Sequence, residues 1–166
     1  NNLLFIPAFT GLGAPQWNPD VRASFYGITR DTSKKDFITA AFNSLCYQTN
    51  EILDAMNAEG LKIKDMSIDG GMAKNMTFAQ LLANITNIKI SIPTNTEATA
   101  IGAAKVAAVG CGLVKSLEAF TNIGSSKEIL PTGSTSHAIN YKMWKEYLNT
   151  MLALSSSLTN IMNNKD

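Results

Sequence analysis

Met66-Ser67-Ile68-Asp69-Gly70-Gly71-Met72-Ala73-Lys74-Asn75 changes structural period within one short stretch. Lys64 to Asp69 has the pattern of a short strand, and it runs into a glycine pair. A helix follows from about Asn75, with Phe78, Leu81, Leu82 and Ile85 on one face. Ile88, Ile90 and Ile92 then alternate with Lys89 and Ser91, so a second strand ends at Pro93. Strand, helix and strand in this order predict an α/β fold. Two readings of the glycine pair stand side by side. Residues without a Cβ let a ligand approach the backbone, and the helix start beyond them offers N–H donors to an anion. Equally, Gly70-Gly71 makes a tight strand-to-helix turn with Asn75 as N-cap.

Upstream, Leu3 to Ile6 reads as a strand stopped by Pro7. Residues 10–22 form a long loop, with a turn signal at Asn18-Pro19-Asp20. Ala23 to Ile28 reads as another strand. Ser33 and Asp36 resemble a capping box, which places a helix start there. Its apolar face is predicted at Phe37, Ala41, Leu45, Thr49, Ile52 and Met56, with Gly60 as the stop. Downstream, Thr96 is the predicted cap of a helix over Glu97–Val109, whose small residues suit close approach to another helix. Residues 121–137 read as a polar loop holding His137, and a last helix spans about 139–162. The tail from Asn163 is expected to fray. No linker divides the chain.

With 166 residues the chain matches roughly one domain, which most often runs about 100–150 residues. At that size about 70% of the unfolded surface can be buried without a disulfide or metal staple. Lys plus Arg is 14 and Asp plus Glu is 13. That balance excludes a general nucleic-acid or anionic-membrane binder, which needs a basic surplus. Charged residues are 16%, below the usual ~25%, and a homo-oligomeric contact is one use for such a surface. Cys46, Cys111 and His137 make no zinc pattern, and both cysteines are expected as buried free thiols of a reducing, cytoplasmic compartment. No apolar run approaches the ~20 residues of a membrane span, and residues 1–7 lack the basic region of a signal peptide. Walker A, GxGxxG, HExxH and GxSxG patterns are all absent.

The order of motifs is more specific than any one of them. Phe5-Ile6-Pro7-Ala8-Phe9-Thr10-Gly11-Leu12-Gly13-Ala14-Pro15-Gln16-Trp17 resembles a PAFxGLGAPxW segment. Arg22 followed by Phe25-Tyr26-Gly27-Ile28-Thr29-Arg30, then Ser44-Leu45-Cys46-Tyr47-Gln48-Thr49, are similar to RGxxxGLTR and SLAYQT. Asp69-Gly70-Gly71-Met72-Ala73-Lys74-Asn75, Glu97-Ala98-Thr99-Ala100-Ile101-Gly102-Ala103-Ala104 and Tyr141-Lys142-Met143-Trp144-Lys145 look like DGGxxxN, ExTALGAA and YxxWK. Together they resemble the FGGY carbohydrate kinases, and within them the glycerol kinases.

The resemblance implies a ribonuclease H-like (actin-like ATPase) fold, of which residues 1–166 would be an incomplete second domain on the nucleotide side. It implies ATP or ADP with Mg²⁺, and transfer of the γ-phosphoryl group to glycerol. Gly70, Gly71 and Asn75 match the adenosine-side contacts; Asp31 and Lys35 fall where further adenine-side contacts lie. Asp31 stands in place of the expected glycine, and Asn43 in place of an acid. Gly102 matches a helix-contact glycine. The implied catalytic Asp, a GTG turn and the glycerol contacts have no counterpart here, so no catalytic residue or metal ligand is assigned and the chain alone is expected to be inactive. The alternatives are another FGGY sugar or polyol kinase, and a non-catalytic nucleotide-binding or assembly module.

Overall fold

The computed structural model describes residues 3–94, 97–120, 126–133 and 136–163. The predicted cap at Thr96 and the tail 164–166 lie outside them. The elements are β1 (Leu4–Ile6), β2 (Ser24–Tyr26), α1 (Lys34–Ala58), β3 (Asp65–Ser67), α2 (Met76–Thr86), β4 (Lys89–Pro93), α3 (Ala98–Gly110), β5 (Ser126–Ile129) and α4 (Ser136–Asn163). They form two compact units. The first holds the chain up to Ile63, then Asn84–Thr86 and the chain from Gly133; the second holds Lys64–Ala83 and Asn87–Thr132. No composition shift marks the division, which passes through α2.

In the first unit β1 and β2 pair antiparallel, with Phe5 opposite Phe25. β1 is buried along its length because its alternate side chains enter different clusters. Leu4 and Ile6 join Val21, Tyr47, Trp144 and Leu148. Leu3 and Phe5 join Ala40, with Phe37 and Ala41 against them. Phe5 stacks on Phe25 at 4.2 Å between ring centres, and Phe25 meets Phe37 edge-on at 5.0 Å. The fully buried indole of Trp144 donates its Nε1–H to the Phe5 carbonyl at 2.8 Å, which satisfies both groups away from water.

α1 begins where the sequence predicts. The Asp36 carboxylate accepts from the Ser33 backbone N–H at 2.8 Å and the Ser33 hydroxyl at 2.6 Å. It ends at Gly60 (φ +89°), where the Gly60 N–H bonds the Asn57 carbonyl and the Leu61 N–H the Met56 carbonyl. Its buried stripe is not the predicted one. Ala40, Ser44, Tyr47 and Glu51 face inward, while Leu45 and Met56 are exposed. The rotation follows from the long-range partners of the helix, β1 and α4, which local periodicity does not contain.

In the second unit β3 and β4 are parallel and β5 joins β4 antiparallel, with Ile90 opposite Ile129. β4 alternates as expected, Ile90 and Ile92 being buried. β5 lies within the segment predicted as a polar loop. Only Ile129 of it is buried, so the strand exists through its ladder to β4 and the Lys89–Glu128 ion pair at 2.8 Å, not through its own propensity.

Three further expectations change. His137 is half-buried in the first turn of α4. Cys111 is exposed, while Cys46 is buried with burial pushing its thiol up to about 12. α3 buries none of its residues, and a Cβ on Gly102 would meet nothing within 4 Å. Among the described residues no helix therefore closes on Gly102.

Candidate functional site

The glycine pair lies at the carboxyl end of β3, the end at which open α/β sheets bind ligands. The ladder runs one step past β3, since the Ile68 N–H bonds the Ser91 carbonyl at 3.0 Å. Gly70 then adopts φ +81° and ψ −171°, a region that glycine alone occupies without strain. Gly71–Lys74 form one 3₁₀ turn, closed by Ala73 N–H to Gly70 carbonyl at 3.2 Å. α2 starts beyond it, capped by Asn75, whose Oδ1 accepts from the Phe78 N–H at 3.1 Å. The capping reading of Asn75 is thus what the structure shows. Its side-chain amide keeps two N–H donors on an exposed residue.

Gly71 is different from Gly70. Its φ is not positive, and a Cβ placed on it would meet nothing within 4 Å. Neither backbone conformation nor internal packing requires glycine there. The surface over Gly70, Gly71 and Asn75 is exposed, with the backbone of Gly71 open to solvent.

Asp31 and Lys35 belong to the first unit, so the five predicted residues divide between the two units. Asp31 lies in the turn before α1. There the Thr32 N–H bonds the Thr29 carbonyl at 3.1 Å, and Thr32 Oγ1 accepts from the Thr29 N–H at 2.7 Å. Its φ is not positive, so the turn accepts a non-glycine residue. Lys35 is exposed in the first turn of α1. Asn43 is half-buried and lines a hollow of ≈ 30 Å³ with Phe5, Tyr47, Asn140 and Trp144. Among the described residues no group of three His, Cys, Asp or Glu side chains is placed to hold a metal ion, and no helix is long and apolar enough to cross a membrane.

One feature of the first unit escaped the sequence reading. The loop after β1 folds back on itself, with Leu12 and Asn18 exchanging backbone hydrogen bonds of 2.7 and 3.0 Å. Gly11 sits at φ +91°, and a Cβ there would stand 2.7 Å from Pro19 Cα. Gln16 Nε2 donates to Glu51 Oε1 at 2.7 Å and ties this loop to α1. Burial raises the Glu51 carboxyl above its ordinary value, opposed by the Gln16 hydrogen bond and by Lys145. The signal was available as the helical spacing Ala40, Ser44, Tyr47, Glu51. Phe9 and Trp17 of the same loop are exposed, by 73% and 77%.

Comparison with known proteins places this geometry. Residues 1–111 match the FGGY family of carbohydrate kinases, C-terminal domain. A glycerol kinase of Marinomonas sp. (strain MWYL1) is 42% identical over 118 residues, covering 71% of this chain and 24% of that protein. The crystal structure of Plasmodium falciparum glycerol kinase with ADP superposes with a TM-score of 0.73 at 29% identity, over 91% of this chain and 31% of that one. A ligand-bound xylulose kinase from Lactobacillus acidophilus shares the fold, with a TM-score of 0.79 at 24% identity over 95% and 33% of the two chains. The chain thus spans about a quarter to a third of the length of these relatives. The fold is the mixed α/β, actin-like one implied by the motifs, present as part of a domain. The chain belongs to the FGGY family of carbohydrate kinases and carries the family's C-terminal domain sequence.

Proposed function

We propose that this chain supplies the adenosine-side nucleotide site of an ATP-dependent glycerol kinase. In the whole protein that enzyme would transfer the γ-phosphoryl group of ATP to a terminal hydroxyl of glycerol, giving glycerol 3-phosphate and ADP. The observation that carries the reading is Gly71, a glycine that neither φ nor packing explains, at the carboxyl end of a parallel strand. The missing side chain leaves the backbone open to a flat ring or a ribose. Gly70 makes the turn that presents it, and the Asn75 amide donates to the same ligand. Asp31, in the turn before α1, and Lys35, in the first turn of α1, are carried as adenine-side residues by the family resemblance alone.

Phosphoryl transfer depends on aligning acceptor, γ-phosphoryl group and Mg²⁺. The catalytic Asp and the GTG-type phosphate turn implied by the family have no match in this sequence. The chain alone therefore binds without turnover, and robust product formation from glycerol and MgATP would refute that assignment. Titrating MgADP into the isotopically labelled chain tests the binding half. Saturable amide shifts at Gly70, Gly71 and Asn75 are expected, and a dispersed spectrum without shifts would refute a preformed half-site.

A second reading is a related kinase with another sugar or polyol as acceptor, since the family match is to carbohydrate kinases at large. A substrate panel on the full-length protein separates the two, because the acceptor contacts implied by the family are not matched in this chain.

A further inference from the structure

The turn that carries Gly70 also holds the one Asp-Gly pair of the sequence, and no Asn-Gly occurs. Asp69 and Gly70 are both exposed and lie in irregular backbone between β3 and the 3₁₀ turn. The chain is pinned on either side of them. Before the pair, the Ile68 N–H bonds the Ser91 carbonyl at 3.0 Å; after it, the Ala73 N–H bonds the Gly70 carbonyl at 3.2 Å. Between those anchors the Gly70 N–H and the Asp69 carboxylate have no hydrogen-bond or ion-pair partner among the described residues. Other aspartates are occupied: Asp36 accepts from Ser33 at the start of α1, and Asp54 accepts from Tyr141 and pairs with Lys145. The space around Gly70 is open as well, since a Cβ there would meet nothing within 4 Å. A carboxyl group thus stands next in sequence to an amide nitrogen that no side chain shields and no bond occupies.

We propose that Asp69 is a site of spontaneous backbone modification, isomerising to isoaspartate through a cyclic imide with Gly70. The Gly70 nitrogen attacks Cγ of the protonated Asp69 carboxyl. An N–Cγ bond forms, a C–O bond breaks, and the amide proton leaves with the carboxyl hydroxyl as water. Water then opens the imide. Attack at Cγ restores aspartate, whereas attack at the main-chain carbonyl carbon leaves the chain running through Cβ and Cγ. Water is the only co-reactant. The isoaspartyl form has one more atom in its backbone and a free α-carboxylate where the peptide carbonyl stood. The extra atom falls between the Ile68 and Gly70 anchors, so it displaces the glycine pair relative to β4. Any effect on binding rests on the nucleotide reading proposed for Gly71 and Asn75; the modification itself does not, and mass analysis reads it without nucleotide.

Incubating the full chain in heavy-oxygen water at physiological temperature and neutral pH, with peptide mapping by electron-transfer fragmentation at intervals, tests it. Isoaspartate carrying the heavy oxygen is expected at residue 69 ahead of every other Asp and Asn. Unpinned backbone gives little protection, so the native chain should isomerise within about tenfold of a free peptide of residues 66–75. Asp69→Glu, a change at an exposed position, enlarges the ring that must close and stops the reaction. Amide spectra of the labelled chain should show a second set of Gly70, Gly71 and Ala73 signals that grows with the isoaspartyl fraction. A native chain that stays aspartyl at 69 while the peptide converts overturns the proposal. So does isoaspartate that forms first at another residue, or turn signals indifferent to the isoaspartyl fraction.

Discussion

Gly70 and Gly71 are neighbours, yet alanine has opposite consequences at the two positions. At Gly70 an alanine meets no atom within 4 Å, so its whole cost comes from the backbone. With φ +81° and ψ −171° an L-residue is held in a region it scarcely populates, which costs about 1–3 kcal/mol. For a chain of this size each kcal/mol lowers the melting temperature by about 2–4 °C. At Gly71 the φ is ordinary and the space is open. Alanine there restricts the unfolded chain without straining the native one, and stabilises by about 0.4–1 kcal/mol. Binding inverts the order of concern. On the proposed nucleotide reading, the new Cβ at 71 would stand where the nucleoside approaches the backbone. MgADP affinity of Gly71→Ala is expected to fall at least about tenfold, or about 1.4 kcal/mol. Thermal unfolding by circular dichroism and the amide-shift titration measure the two effects on the same samples. A Gly70→Ala chain that melts with the wild type refutes the backbone argument. A Gly71→Ala chain that binds MgADP as the wild type does refutes the nucleotide role of that position.

Trp144→Phe keeps a ring in the core but leaves the Phe5 carbonyl without its donor, so urea unfolding is expected to show a loss of about 1–3 kcal/mol, and a loss near zero would refute the role of that bond. The Glu51 carboxyl is raised by burial above its ordinary 4.5, so on raising pH the unfolded chain releases that proton first. Stability is therefore lost as pH rises from about 4.5 through the raised folded value. Glu51→Gln removes this loss: its advantage over the wild type should be absent below about pH 4.5 and grow toward neutrality, and a pH-independent offset would contradict it. With an alkylating reagent at pH 8, Cys111 reacts fast in the native chain and Cys46 only after unfolding, because burial holds the Cys46 thiol near 12; two fast thiols in the native state would show that reading to be wrong.

The legible parts of this molecule are those decided within a few residues. Ser33 and Asp36 are three apart and open α1, Asn75 and Phe78 are three apart and open α2, and Gly60 closes the first of these helices through bonds to Asn57 and Met56. β4 alternates and stops at Pro93. Side-chain capping and period-two alternation act along the chain, so the sequence carries them in full. The motif order likewise identified the family, because a shared set of turns and helix faces leaves a shared spacing of residues.

Other features exist only because distant segments meet. The inward stripe of α1 turns toward Tyr47 and Glu51 because β1, α4 and Gln16 lie on that side. The Trp144 indole reaches a carbonyl 139 residues earlier in the chain. β5 is a strand through its pairing with β4, His137 enters α4 instead of a loop, and Cys111 stays exposed where composition favoured burial. At the candidate site the division is the same. The sequence by itself determined that two glycines separate a strand from a helix capped by Asn75. Only the tertiary structure distinguished Gly70, which the turn requires, from Gly71, which it does not. Torsion angles and the space around an absent Cβ belong to the folded backbone and are not written in residue identity.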